Sequence, residues 1–555
     1  MNKRATLISH SLLVLFVWLS IFCSAQAPVA PKPAHNVDAK NSSSGNSTLD
    51  EQGKRWWSHI QVLADDQLEG RLTGSAGYQK AAAYVAERFQ EYGLVPRGAA
   101  GYMQPVGFEV QKVLEGKSSL VMVRGGKSQP LALGEDALLG ARVPEPEKLD
   151  APLVFVGYGL YIPDAQYDDF TGMDLKGKVL VYINGGPSTI SGALKSHARA
   201  AQEFWKIVEQ SGAVGVASIP NPKSMDIPWS RMSLASSQPG MWLSDPSLQD
   251  TKSPKLTVTL NPAHAEMLFA GTGHTFAELL ALADAGKPLP RFPMGASLQA
   301  KIVSERSHVE SPNLVGVYPG TDPTLKDEYV VFSAHLDHLG VGQPINGDKI
   351  YNGAMDDGSG IASILEIARA LHDSHAKLKR SVLFVAVTAE EKGLLGSRYF
   401  VGHPTVPKSS MVANLNIDMF LPLHPLNILS VQGIDESTLG EEMRKVGSQD
   451  EIEIQGDLEP DRNLFIRSDQ YDFIRAGVPA LAFKFGYIKG SPEEKMHKDW
   501  LTNRYHAPSD DVNQPVDLAA AATFDNVMVQ LAEKIADDRD RPHWNEKSFF
   551  KRFAK

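Results

Sequence analysis

Five short clusters of histidine and carboxylate residues fall in the second half of this chain, and their types suit a site for divalent cations. They are His335-Leu-Asp-His338, the pair Asp356-Asp357 among glycines, Glu390-Glu391, the single Asp418, and His506 within Arg504-Tyr-His-Ala-Pro-Ser-Asp510. In extended backbone His335 and Asp337 share a face and His338 points to the other. His335 then reads as a ligand whose ring Asp337 orients; alternatively both histidines are solvated in a loop. Asp356 and Asp357 suit a carboxylate bridge between two cations, or a cap on the helix that follows. Adjacent glutamates at a strand end diverge, so one can bind metal while the other serves as general base; alternatively both favour the positive N-terminus of the next helix. Two histidines and three carboxylates are too many for one tetrahedral zinc but suit two ions sharing a bridge. Such a pair activates water for amide hydrolysis.

Regular structure must bring these clusters together. Apolar runs at 328–334, 381–387, 412–417 and 480–483 predict strands. Between them, 359–371 predicts a helix with Ile361, Ile364, Leu365, Ala368 and Leu371 on one face. Further helices are expected at 78–92, 394–400 and 519–535. Strands alternating with helices imply an α/β fold, a mixed mostly parallel sheet flanked by helices. Each cluster follows the carboxyl end of a strand, where open α/β sheets bind ligands. The stretch 136–295 has another texture, with short strands at 153–156, 179–183 and 214–219 and a helix at 198–211. It reads as a β-rich insert that divides a catalytic domain into 51–135 and 296–541, with a tail at 542–555.

At 555 residues the chain exceeds one ordinary core. Its formal charge of -10 gives no reason to invoke nucleic acid. Lys3 and Arg4, the apolar run 12–22 and Ala25-Gln26-Ala27 form a signal peptide over 1–27, followed by an Ala-, Pro- and Ser-rich linker over 28–50. The expectation is export to the periplasm or beyond, with no stable membrane insertion after cleavage. The apolar run is shorter than the ~20 residues of a membrane span. Cys23, the only cysteine, lies inside the leader. Any metal in the exported protein must then be held by His, Asp and Glu.

The set His335-x-Asp337, Asp356-Asp357-x-Ser-Gly, Glu390-Glu391-x-Gly-Leu-x-Gly-Ser, Asp418-Met and Tyr505-His506-x-Pro-x-Asp resembles the co-catalytic zinc peptidases, which include secreted bacterial leucyl aminopeptidases and the glutamate carboxypeptidase group. Leu68-Glu-Gly-Arg-Leu-Thr-Gly74 is similar to that family's N-terminal segment, and 136–295 resembles its inserted protease-associated domain. The resemblance implies two Zn2+ ions, with Mn2+ or Co2+ also suited to the N/O ligands. It implies His335 and Asp418 on one ion, Glu391 and His506 on the other, Asp356 bridging through a cis peptide to Asp357, Glu390 as general base and Asp337 orienting His335. Ser468-Asp-Gln-Tyr-Asp-Phe473 matches a motif near the pocket, with Gln470 where relatives often carry His. Arg467, Asp469, Tyr471, Phe483 and Tyr505 are the expected pocket residues, with Phe485 beside them.

The implied reaction is removal of N-terminal amino acids from peptide substrates, with Glu390 working on a water between the metals. One alternative is a carboxypeptidase or dipeptidase, in which Arg467, Lys484 or Arg504 would clamp the substrate carboxylate. Another is a non-catalytic peptide-binding relative. Side-chain preference and oligomeric state are not readable from these residues.

Overall fold

Largely apolar runs form the central strands of the larger of two main sheets, because these strands are buried on both faces. The computed structural model describes residues 40–225, 227–235, 238–459 and 464–554. The leader and the first part of the linker lie outside the described residues. The chain divides into Met1–Gly45 and Asn46–Lys555, and the architecture below is that of the second unit.

Helix α1 (Lys40–Leu63) starts inside the expected linker, and α2 (Ala76–Glu91) follows with Ser75 as its N-cap. The larger sheet takes β1 (Met103–Val113), β2 (Gly240–Leu243), β3 (Ser304–Tyr318), β4 (Tyr329–His335), β5 (Ser381–Val387), β6 (Met411–Asn416), β7 (Ile428–Gln432), β8 (Glu453–Gln455) and β9 (Ala480–Phe485). They lie in the order β2-β1-β3-β5-β4-β6-β9-β7-β8. The inner strands β5, β4, β6 and β9 are mutually parallel. Antiparallel neighbours β3 and β7 flank them, so the sheet is mixed. Helices α3 (Ser359–Asp373), α4 (Leu395–Gly402), α5 (Gln470–Arg475), α6 (Pro492–Asn503) and α7 (Leu518–Asp537) belong to this part, together with a helix at Leu439–Gln449. On one face α3 and α7 pack into a core containing Phe332, Phe384, Ile364 and Leu531. On the opposite face Val331, Leu383, Phe400 and Phe473 form a second core.

The other main sheet has eight strands, from Ser119–Arg124 to Arg291–Lys301. It reaches beyond 136–295 at both ends. The texture expected for that stretch also hides an exchange: β2, at residues 240–243, leaves this sheet to pair with β1 at the edge of the larger one. The helix expected at 198–211 is two helices, Gly192–Arg199 and Ala201–Ser211, broken at Ala200.

Candidate metal centre

The three inner strands β4, β5 and β6 run parallel and end together. His335 closes β4, Glu390 and Glu391 follow β5, and Asp418 follows β6. Asp356 and Asp357 enter from the loop before α3, and His506 from the loop after α6. Five separate segments thus meet at one end of the sheet.

The central feature is the Asp356 carboxylate, whose two oxygens face different partners. Oδ1 lies 3.1 Å from His335 Nε2, which is itself 3.8 Å from Asp418 Oδ1. Oδ2 lies 3.2 Å from His506 Nε2, which is 3.3 Å from Glu391 Oε2. Asp356 Oδ2, Glu391 Oε1 and Asp418 Oδ1 are buried without a hydrogen-bond donor. Carboxylates crowded in this way need compensating positive charge. The donor set is nitrogen and oxygen only, which fits zinc.

Electrostatics follow from the crowding. Burial and Glu391 both act to raise the Asp356 pKa, but His335 and His506 outweigh them and hold it low. Burial disfavours the charged His506 ring, yet Glu391 and Asp356 push its pKa up to about 10. Burial drives the Glu390 carboxyl well above its usual range; His335 opposes this and Glu391 adds to it.

The peptide Asp356–Asp357 is cis. Asp357 lies within reach of His335 and Asp418, but its oxygens are taken by the main chain. Oδ1 accepts from Gly360 N (2.9 Å) and Met419 N (3.2 Å), and Oδ2 from His335 N (3.2 Å). It therefore ties the loops together, while Asp356 faces the site. Gly360 is required here, because a Cβ would stand 2.2 Å from the Ile417 carbonyl oxygen.

Asp337 orients His335 differently from the expectation. The ring Nδ1 is 3.0 Å from the Asp337 main-chain oxygen and 3.9 Å from its carboxylate. That carboxylate instead accepts from Glu390 N at 3.0 Å and Thr73 Oγ1 at 3.1 Å. It positions the Glu390 backbone as well as the histidine loop.

The structure also brings in residues that the spacing did not reveal. His338, expected on the far face, is fully buried, with Nδ1 2.8 Å from Glu391 Oε1 in a contact that lacks hydrogen-bond geometry. Extended alternation stops at His335, and the chain turns so that His338 bridges to Leu72. Its ring fills the space where Gly353 (φ 63°) has no side chain. Arg71 explains the segment at 68–74. Its buried guanidinium donates to the main-chain oxygens of Leu63, Leu336, Asn352 and Gly353 at 2.5–2.9 Å. Asp510 accepts from Met355 N and Asp356 N at 2.9 and 3.0 Å, which fixes the loop carrying the bridging carboxylate.

An open cavity adjoins the cluster, lined by His335, Asp356, Glu390, Asp418 and His506. Arg467 and Tyr505 line it as expected. Asp469, Tyr471 and Phe483 do not. Strand alternation turns Ala482 and Lys484 to the cavity and sends Phe483 and Phe485 into the core against Phe524. Tyr471 hydroxyl lies 2.6 Å from His197 Nδ1 of the insert. Asp469 is buried with neither carboxylate oxygen bonded, and burial lifts its pKa to about 7. Gln470 also lines the cavity, joining Asn416 to the Phe465 carbonyl. Lys484 donates to the main-chain oxygens of Asp418 and Met419 at 2.6 and 2.9 Å. Arg504 is turned to the Ser509 carbonyl.

Residues 313–532 match peptidase family M28, in agreement with the resemblance read from the motifs. Leupeptin-inactivating enzyme 1 of Streptomyces exfoliatus is 31% identical over 169 residues, covering 30% of this chain and 34% of that protein. Aminopeptidase YwaD of Bacillus subtilis (strain 168) is 28% identical over 257 residues, covering 43% of this chain and 49% of that protein. The chain therefore spans between a third and a half of these curated relatives' length. A solved aminopeptidase from Aneurinibacillus sp. strain AM-1 superposes with a TM-score of 0.52 at 18% identity, covering 90% of this chain and 100% of that one. That likeness shows a shared fold.

Proposed function

We propose that this M28 peptidase is an exported metallo-aminopeptidase that removes N-terminal residues from peptides with two zinc ions at the cluster around Asp356. The observation that carries the reading is the division of the Asp356 oxygens between the His335–Asp418 and the His506–Glu391 groups. His335 and Asp418 would hold one ion, Glu391 and His506 the other, and Asp356 both. When bound, the ions would activate a water and polarise the scissile carbonyl.

The chain's own groups supply the rest. Glu390 lines the cavity beside these ligands and is free of a metal role, so it takes the proton from the attacking water and delivers it to the departing amine. Its main-chain N–H is anchored on Asp337, which keeps the base in register with the His335 loop. Asp356, Glu390 and Asp418 also present negative charge to a substrate ammonium. Lys484 is engaged with two main-chain oxygens, which leaves it poorly placed as a carboxylate clamp. The name of aminopeptidase YwaD accords with this reading.

Arg467, on the cavity wall, is the observation that keeps a carboxypeptidase or dipeptidase as second reading. The deciding experiment assays metal-loaded protein on leucyl and alanyl anilides alongside N-blocked peptides with free carboxyl ends. Turnover of the anilides is expected. Release of C-terminal residues from the blocked peptides alone would overturn the aminopeptidase reading in favour of the second.

A further inference from the structure

A second and larger basin adjoins the metal cavity, and the two share Arg467, Leu501 and Tyr505 on their walls. One side of the basin comes from the smaller sheet and its helices, through Lys195, Arg199 and Lys223. The other comes from the catalytic part, through Arg467 and Lys498. Glu459 is the single acidic residue among the described residues lining it. A chain whose net charge is -10 thus turns five cationic side chains toward one hollow beside its candidate site.

These cations are not all neutralised. Lys223 and Lys498 have exposed ion pairs with Asp284 (2.7 Å) and Glu494 (2.6 Å), of the kind worth little in water. Among the described residues Lys195 makes only a long contact of 3.4 Å, with the Pro187 carbonyl. Arg199 is held flat over Tyr182 and Phe204, 4.3 and 4.9 Å from the ring centres, with one amino group on the Tyr158 carbonyl. Its other amino group, Nη1, is buried and has no partner. A buried guanidinium nitrogen without an acceptor is costly. The aromatic shelf fixes the guanidinium in the basin wall, and a planar guanidinium matches a carboxylate best.

We propose that the basin is a carboxylate-binding subsite for the peptide portion downstream of the scissile bond. The inference rests on the aminopeptidase reading and deepens it. With the N-terminal residue in the metal cavity, the rest of the substrate passes Arg467 and Tyr505 into the basin. The enzyme then favours peptides that carry carboxylates after the first residue. Either acidic side chains or a free C-terminus can supply them.

The test uses metal-loaded protein and four leucyl pentapeptides. One carries glutamates and an amidated end, one is all-neutral and amidated, one is all-neutral with a free carboxylate, and one carries lysines and an amidated end. The expected result is a kcat/KM for the glutamate peptide about ten-fold above the neutral amide, carried mainly by KM and falling as salt rises. An advantage of the free-acid peptide over its amide would identify the C-terminus as a source of the anion. The double variant Lys195→Glu/Lys498→Glu should abolish or invert the ratio of acidic to lysine peptide, measured within each protein. Lys195→Gln/Lys498→Gln, the milder change, should reduce it. An equal preference in wild type and both variants, or no preference in wild type, overturns the subsite. Leucyl anilide is the separate control, since it has no downstream peptide. If anilide is cleaved while the preference is missing, only the subsite falls; if wild type cleaves no anilide, the parent reading falls and takes the subsite with it.

Discussion

The guanidinium of Arg231 donates to the main-chain oxygen of Tyr505 at 2.9 Å, one residue before His506. Arg142 donates to the main-chain oxygen of Glu391 at 3.0 Å. These two arginines therefore grip the backbone at or beside the two residues proposed to share one ion. Arg231→Ala and Arg142→Ala should each weaken retention of that ion by about ten-fold, the scale of one charge-assisted hydrogen bond. The check is zinc competition with a chromogenic chelator, read against the other proposed ion.

Glu390→Gln and Glu391→Gln should separate base from ligand. The first should retain metal and lose at least ~100-fold in kcat. The second should lose metal as well as rate. Metal analysis beside steady-state kinetics distinguishes them, and wild-type kcat in Glu390→Gln would refute its role as base.

Chelation should abolish turnover and lower the melting temperature together. The buried carboxylates of Asp356, Glu391 and Asp418 then keep only the partial compensation of the nearby histidines, Lys392 and Lys484 among the described residues. Zinc added back should restore both, with a thermal shift that grows with its concentration. An unchanged melting temperature after complete metal removal would contradict the proposed site.

Arg71→Ala should destabilise the fold by about 3–5 kcal/mol, because four buried carbonyls lose their donor. Chemical denaturation measures this directly. The loss should exceed that of Thr73→Ala, which removes a single hydroxyl donor to Asp337.

His197 makes stability depend on pH. Burial holds its pKa at about 4, below the 6.5 of an unfolded chain, where the ring lies between Tyr471 and the rings of Phe549 and Phe553. The unfolded chain binds the extra proton between these values. The contribution is therefore present above pH 6.5 and is lost as pH falls through about 4. Its size is about 2 kcal/mol once solvent screening of the partly exposed ring is allowed for. Melting curves from pH 8 to 4 should fall less steeply in His197→Gln.

Much of the site was legible because it interrupts regular patterns. Glu390-Glu391 breaks off the apolar run of β5, and Asp418 that of β6, so strand ends and polar residues could be read together. His506 and Asp356 needed the family likeness, since a loop histidine and an acidic pair have ordinary explanations. Phe483 was misread as a pocket residue although alternation along β9 assigns Ala482 and Lys484 to the cavity. Tyr471 was misread because its partner, His197, is 274 residues away.

The sequence by itself determined the elements and the chemical types of the ligands. Period-two and helical patterns, and the polar breaks that end them, are local properties of the chain. Tertiary structure alone decided which face each group would present. His338 turns inward because the chain leaves extended geometry after β4, where Arg71, 265 residues away, clamps the Leu336 carbonyl. The Asp356 oxygens part toward two histidines because Asp510 anchors its main-chain N–H and sets its carboxylate between loops remote in sequence. The hold of Arg142 on Glu391 and of Arg231 on Tyr505 comes from guanidiniums whose acceptors are main-chain oxygens. A main-chain oxygen has no residue type, so no motif could announce it.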